Sequence, residues 1–258
     1  MPSPDQVLLR VDKVSKSFGG LKALDKVSLE VKRGCIHAII GPNGSGKTTL
    51  FNVLSGLYIA DSGKVSFLGQ DISGLATHQR SRLGLARTFQ QVRLFSSLTV
   101  RQNILASYLE HQRSTILRRM VSHSAGGHSY VDEVIGFFGL ERFAGTTCGS
   151  LPYGIQKITE IARAVVSKPQ ILMLDEPVNG MNAEEVAAVC GLFRKIRQEL
   201  GVTILLIEHN MSLVMNECSI VSVLSYGQNL AEGTPLEVST NQQVIEAYLG
   251  KRGGSYVA

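Results

Sequence analysis

The hydrophobic pattern opens on three short apolar runs separated by charged breaks. Val7–Val11, Val27–Val31 and Ile36–Ile40 have the length and branched content of strands. Val27–Val31 alternates apolar with polar positions, as a strand with one face in the core should. Ile36-His37-Ala38-Ile39-Ile40 is nearly uniformly apolar and suits a central strand buried on both faces. It runs into Gly41-Pro42-Asn43-Gly44-Ser45-Gly46-Lys47-Thr48, then into a helical stretch, Thr49–Leu54, that Gly56 can close. Between Gln91 and Gly149 the period changes. Leu98, Ile104, Leu105 and Tyr108, then Val131, Val134, Ile135 and Phe138, recur at helical spacing. Arg113–Arg119 is basic, and His123–Ser129, rich in Gly, Ser and His, is expected to be a loop. From Leu151 the pattern reads helix Ile155–Val166, strand Ile171–Leu174, helix Ala183–Leu200 and strand Thr203–Ile207. The helix from Ala183 has both ends written in sequence: Asn182 can cap it with Glu185 in the capping-box position, and Gly201 ends it. Alternating strands and helices predict a mainly parallel sheet covered on both faces. One domain over residues 1–258 is expected, with 1–90 and 151–258 forming an α/β core and 91–150 a helical insertion.

Composition narrows the class further. A chain of 258 residues with 44% hydrophobic and 18% charged positions is not a disordered or low-complexity protein. Cys35, Cys148, Cys190 and Cys218 have no paired metal spacing and read as reduced thiols of a cytosolic protein. Met1–Arg10 has no secretory pattern, and no apolar run approaches the ~18–20 residues of a spanning helix, so the chain is expected not to cross a membrane. The net charge of +5 fits a solvated basic face better than a dedicated anionic partner.

Two elements carry chemistry by themselves. Gly41-x-x-x-x-Gly46-Lys47-Thr48 is the phosphate-binding loop pattern, set between a strand and a helix as the chemistry requires. Its glycines let backbone N–H groups curl around phosphates, Lys47 neutralises charge, and the Thr48 hydroxyl can ligate Mg²⁺. The helix that follows points its positive end at the anion. The second element is the strand Ile171–Leu174 running into Asp175-Glu176. This places Asp175 at the carboxyl edge of the sheet, where it can hold Mg²⁺ through water. Glu176 can polarise a water for attack on the γ-phosphate. Together they describe a nucleotide-binding protein and leave its class open.

Further motifs resemble one superfamily. Leu151-Pro152-Tyr153-Gly154-Ile155-Gln156 is similar to the signature loop of ATP-binding cassette (ABC) ATPases. Gln90 in Arg87-Thr88-Phe89-Gln90 resembles their Q-loop, His209 their switch histidine, and Phe18 in Ser17-Phe18-Gly19 the aromatic residue that stacks on adenine. The order is the family's, and the motifs span almost the whole chain. Gln90 or His209 taken singly would be read as a surface polar residue. The resemblance implies a P-loop ABC ATPase fold with an antiparallel β subdomain and the helical insertion. It implies ATP and Mg²⁺ as cofactors, with nucleotide contacts from Phe18, Gly41, Pro42, Asn43, Gly44, Ser45, Gly46, Lys47, Thr48 and Thr49. Metal contacts would come from Thr48, Gln90 and Asp175 (through water), and catalytic roles from Glu176, His209 and Gln90. Two cassettes would close head-to-tail, with Leu151, Pro152, Tyr153 and Gly154 facing the partner's ATP. Gln90 would relay closure to a membrane subunit.

Departures from the family pattern point to a subfamily. Pro152 stands where the family has Ser, Tyr153 where it has the first Gly, and the Gln is displaced to Gln156. In Gly180-Met181-Asn182, Asn182 replaces the usual Asp of the D-loop. These changes leave a weak or asymmetric site open. Leu-Pro-Tyr-Gly, Gly-Met-Asn, Ile207-Glu208-His209-Asn210-Met211 and Thr88–Phe95 resemble the ATPases of branched-chain amino acid importers, as does the ending Gly233-Thr234-Pro235 with Ala247–Gly250. The larger of their two paired ATPases, LivG-like, is the better match. The partners implied are two transmembrane permeases, a second ABC ATPase, identical or paralogous, and indirectly a solute-binding protein. The location implied is the cytoplasmic face of the inner membrane. A lipopolysaccharide-export ATPase, or that of another solute system, is the alternative. A soluble ABC protein of ribosomes or DNA is a further one, but those groups carry two cassettes, zinc modules or long coiled coils. No nucleic-acid partner is expected.

Overall fold

The computed structural model describes residues 6–113 and 125–249. In chain order the elements are β1 (Val7–Phe18), β2 (Leu21–Lys32), β3 (Ile36–Ile40), α1 (Lys47–Leu54), β4 (Ser62–Phe67), β5 (Gln70–Asp71), α2 (Thr77–Arg82) and β6 (Leu85–Arg87). There follow α3 (Val100–Arg113), α4 (Ala125–Phe137), α5 (Tyr153–Val165), β7 (Ile171–Asp175), α6 (Ala183–Leu200) and β8 (Thr203–Ile207). The chain continues with α7 (Met211–Glu217), β9 (Ile220–Ser225), β10 (Gln228–Gly233), α8 (Pro235–Ser239) and α9 (Gln242–Leu249). It groups into two compact units, residues 1–77 with 203–258, and residues 78–202.

The first unit holds an antiparallel sheet of order β2-β1-β4-β5. β1 and β2 are 12 residues each, longer than their five-residue apolar runs suggested. The ladder continues through register shifts, one of them between Val11 and Val14, and Lys13 and Lys26 take positive φ. Such bulges break the period-two pattern without ending the pairing. The same unit holds strands in the order β10-β9-β3-β8, with β3 parallel to β8 and β9 and with β10 antiparallel to β9. Every residue of β3 and β8 is buried, as their unbroken apolar runs require. Each buried Ile or Leu there contributes roughly 1.5–3 kcal/mol. Besides Thr203, His37 is the polar residue among them. Its Nε2 lies 2.8 Å from Ser222 Oγ on β9, and Ser222 donates to Glu232 Oε2 on β10 at 2.6 Å. The one hydroxyl proton goes to the carboxylate, so the neutral ring carries its hydrogen on Nε2. Burial pushes the His37 pKa down to about 4.

In the second unit β6 and β7 pair in parallel, Leu85 opposite Ile171. α3 packs against α4 and α5. Ile104, Val131, Val134, Ile135 and Phe138 are buried, as their spacing predicted, while Leu98, Leu105 and Tyr108 are half-buried. One expectation is corrected. Residues 125–129 of the expected loop are the first turns of α4. A helix anchored by the buried Val131–Ile135 stripe outweighs the ~1 kcal/mol that each glycine costs. Residues 123 and 124, and the basic stretch 114–119, lie outside the described residues. α6 begins as its sequence predicted: Asn182 Oδ1 accepts from the Glu185 N–H at 3.0 Å, Glu185 Oε2 accepts from the Asn182 N–H at 2.9 Å, and Gly201 closes the helix at φ 66°. Among the described residues no helix is long and apolar enough to cross a membrane.

Candidate active site

The first unit carries the phosphate loop between β3 and α1. Gly41, Gly44 and Gly46 take φ of 150°, 78° and 101°. A Cβ on Gly41 would sit 2.1 Å from Leu224 O, and one on Gly46 2.6 Å from Ala23 O, so both positions require glycine. The loop is fastened by a Ser45 N–H bond to Pro42 O (3.2 Å) and by Gly227 N–H donating to Ser45 O (3.0 Å). Gly46 is the N-cap of α1 and no side chain caps the helix, so its first-turn N–H groups are the donors an anion would meet. Lys47 Nζ donates to Gly41 O at 2.7 Å, Pro42 O at 2.9 Å and Ser45 Oγ at 3.4 Å. Pro42 is half-buried, Asn43 exposed, Thr48 exposed and Thr49 half-buried.

Phe18 and His209 belong to the same unit. Phe18 ends β1, 43% exposed, with Tyr58 edge-on at 5.2 Å between ring centroids. His209 is exposed just after β8. Its backbone N–H and that of Asn210 both donate at 3.1 Å to Glu208 Oε2, a buried carboxylate that shapes the turn carrying the imidazole. Asn210 in turn caps α7 through the Leu213 N–H. Sequence reasoning gave Glu208 and Tyr58 no role of their own. Glu208 was signalled only by its place beside His209.

The second unit carries the acidic pair. Asp175 ends β7, buried, and Arg87 at the end of β6 donates to its Oδ2 at 3.0 Å. Burial pushes the Asp175 carboxyl above its ordinary range, and the guanidinium opposes that shift. Glu176 follows at φ 47°, a left-handed conformation that a glutamate holds only under constraint. Its Oε2 accepts from Gln90 Nε2 at 2.8 Å and from Asn179 Nδ2 at 3.1 Å. Gln90 and Glu176 are therefore brought together, and Arg87 and Asn179 join them without having been singled out in the sequence. Arg93 lies 4.1 Å from the Phe89 ring centroid and Arg87 5.0 Å.

Leu151 is buried, Pro152 is the N-cap of α5 and Tyr153 is 42% exposed. Proline offers no capping side chain, so the first turn of α5 lacks the hydroxyl cap that a serine would give. A Cβ on the buried Gly154 would meet Glu185 Oε1 at 2.6 Å, so a side chain there would displace the carboxylate whose other oxygen closes the capping box of α6. The displaced Gln156 donates to Leu151 O at 2.8 Å, tying the loop to itself. Asn182 is occupied as the cap of α6.

The Thr48 hydroxyl, the Gln90 amide oxygen and the Asp175 carboxylate are hard oxygen donors of the kind Mg²⁺ takes alongside phosphate and water. Among the described residues there is no cluster of three His, Cys, Asp or Glu side chains that would form an all-protein metal cage. Oxygen donors of this chemistry are the ones Mg²⁺ takes from a protein when phosphates and water complete its shell.

Residues 24–179 match the ABC transporter family. The chain belongs to that family. A second family description, branched-chain amino acid ATP-binding cassette transporter, matches residues 228–253 of this ABC ATPase. The high-affinity branched-chain amino acid transport ATP-binding protein BraF of Pseudomonas aeruginosa is 40% identical over 250 residues, covering 95% of this chain and 98% of BraF. The corresponding LivG protein of Salmonella typhimurium is 39% identical over 252 residues, covering 95% and 99%. Among solved structures, the ADP conformation of MJ1267, an ATP-binding cassette of an ABC transporter, matches with a TM-score of 0.83 at 31% identity, over 95% of this cassette and 100% of that chain. The mixed parallel and antiparallel sheets and the ATPase activity expected from the motifs are those of the family.

Proposed function

We propose that this ABC ATPase powers the import of branched-chain amino acids from the cytoplasmic face of the inner membrane. It would be bound there to two permeases and to a second cassette, with a solute-binding protein delivering cargo. The observation that carries the reading is the end-to-end alignment with BraF and LivG, reinforced by the separate match at residues 228–253. The division into an α/β core and a helical insertion over 91–150 is part of the same proposal.

The site supports specific roles. The N-terminus of α1 and Lys47 would hold the β- and γ-phosphates, and Phe18 would stack on adenine. Thr48 and Gln90, with Asp175 through water, would hold Mg²⁺, which would neutralise phosphate charge when bound. Glu176 would polarise the attacking water, its orientation fixed by the Gln90 and Asn179 amides on Oε2. His209, on the turn built by Glu208, would bind the γ-phosphate. Leu151–Gly154 would meet the partner's ATP, and Asn182 would contribute a polar but uncharged contact beside it.

Two experiments test this. Glu176→Gln is expected to bind ATP and to lose at least ~100-fold in turnover, the scale of removing a positioned general base. Turnover within threefold of wild type would sink the assignment. Purification of the tagged chain from its own membranes in mild detergent should bring down two multi-span permeases and a second ATPase. Ribosomal or DNA-repair proteins without a membrane subunit would overturn the importer reading.

A further inference from the structure

Lys157 and Glu160 stand one turn apart on α5, with side chains 1% and 2% exposed and Nζ 3.4 Å from Oε2. A buried ion pair is a poor device for stability, since replacing both members by apolar residues is often neutral or favourable. Its hydrogen bonds show what it holds. Lys157 Nζ donates to Phe89 O at 2.8 Å and to Gln90 O at 2.9 Å. With Glu160 these use all three donors of the ammonium. Glu160 Oε1 accepts from the Arg93 N–H at 3.0 Å. Residues 88–95 lie outside helices and strands, and this stretch is fastened to α5 at three backbone atoms. Gln90 is thus held at both ends, its carbonyl by Lys157 and its side chain against Glu176. The helix that does this begins at Tyr153, within the Leu151–Gly154 loop.

We infer that Lys157 and Glu160 are positioning residues for hydrolysis. The pair is a clasp that sets the backbone of residues 89–93 so that the Gln90 amide meets Glu176, and it makes this segment move together with α5 and the loop at its head. The inference rests on the roles proposed above for Gln90 and Glu176.

The test is steady-state ATP hydrolysis by the full chain, with turnover expressed per nucleotide site titrated by a fluorescent ATP analogue. The double variant Lys157→Met/Glu160→Met removes both charges and leaves no orphaned ion. Its kcat should fall roughly 10- to 100-fold, the scale of a small misplacement of catalytic groups, while KM and analogue affinity stay within about threefold. Lys157→Arg, which keeps the charge and the donors, should restore kcat to within about threefold of wild type, and exchange of the Arg93 amide should quicken only in the double variant. Should the double variant not fold, the isosteric Glu160→Gln reads the same effect, a fall of at least about threefold in kcat at unchanged KM. Wild-type kcat in a folded clasp variant, alongside an inactive Glu176→Gln, overturns the clasp and leaves the site reading standing. Normal turnover by Glu176→Gln removes both.

Discussion

His37 makes the strand leading to the phosphate loop sensitive to acid. In the folded chain its pKa is about 4, against an ordinary 6.5, because a buried imidazolium loses its hydration. The unfolded chain therefore takes up this proton at higher pH than the folded one. Stability from the neutral ring is complete above pH 6.5 and is lost as pH falls toward 4. At about 1.4 kcal/mol per pH unit, the loss between pH 6.5 and 5 is about 2 kcal/mol and the full effect on the order of 3 kcal/mol. His37→Gln removes the titration while keeping an N–H donor for Ser222. Urea unfolding of both chains at pH 7.5 and pH 5.0 isolates the effect, since the carboxylates they share contribute equally. The stability of the wild type relative to His37→Gln should drop by about 2 kcal/mol on going to pH 5.0. A difference that does not change with pH would mean that the ring protonates near its ordinary value inside the fold, and the burial argument would be wrong.

Two other perturbations follow from contacts in the second unit. Arg87→Met leaves Asp175 a buried carboxylate without its guanidinium and should cost about 3–5 kcal/mol at neutral pH. Burial already raises the Asp175 pKa, so part of that cost should return as the pH is lowered and the acid protonates; a pH-independent loss in melting experiments would contradict this. Gly154→Ala drives a methyl into Glu185 and should cost roughly 1 kcal/mol through the broken capping box. The same change in a Glu185→Ala background should be nearly neutral, and additive losses in that double-mutant cycle would remove the contact from the explanation.

Much of the architecture was legible because its signals are local. Ile36–Ile40, Ala183–Leu200 and Thr203–Ile207 fall where the apolar runs and the Asn182/Glu185/Gly201 punctuation put them. β1 and β2 were under-read because a bulge at Lys13 erases alternation while pairing with a distant strand continues. α4 was misjudged at its start because local propensity there yields to the buried stripe one turn later. The phosphate loop and Asp175-Glu176 were visible as motifs. Their supports were not: Arg87, Asn179 and Lys157 are ordinary polar residues in sequence. They gain meaning only when β6 lies beside β7, or when α5 lies under residues 89–93. A side chain that acts across a fold leaves no period behind it.

The hairpin turn between β9 and β10 has a practical consequence. Tyr226 is 91% exposed, and by that measure its turn is an inviting place to insert an epitope tag or a fluorescent reporter. Yet the next residue, Gly227, donates to Ser45 O in the phosphate loop, and its own carbonyl accepts from the Asp25 N–H of β2 at 2.7 Å. A graft at this tip would silence nucleotide capture from nearly two hundred residues downstream, and a transposon or linker-scanning survey would score the turn as essential although its side chain touches solvent. Labels for following this protein in cells belong elsewhere.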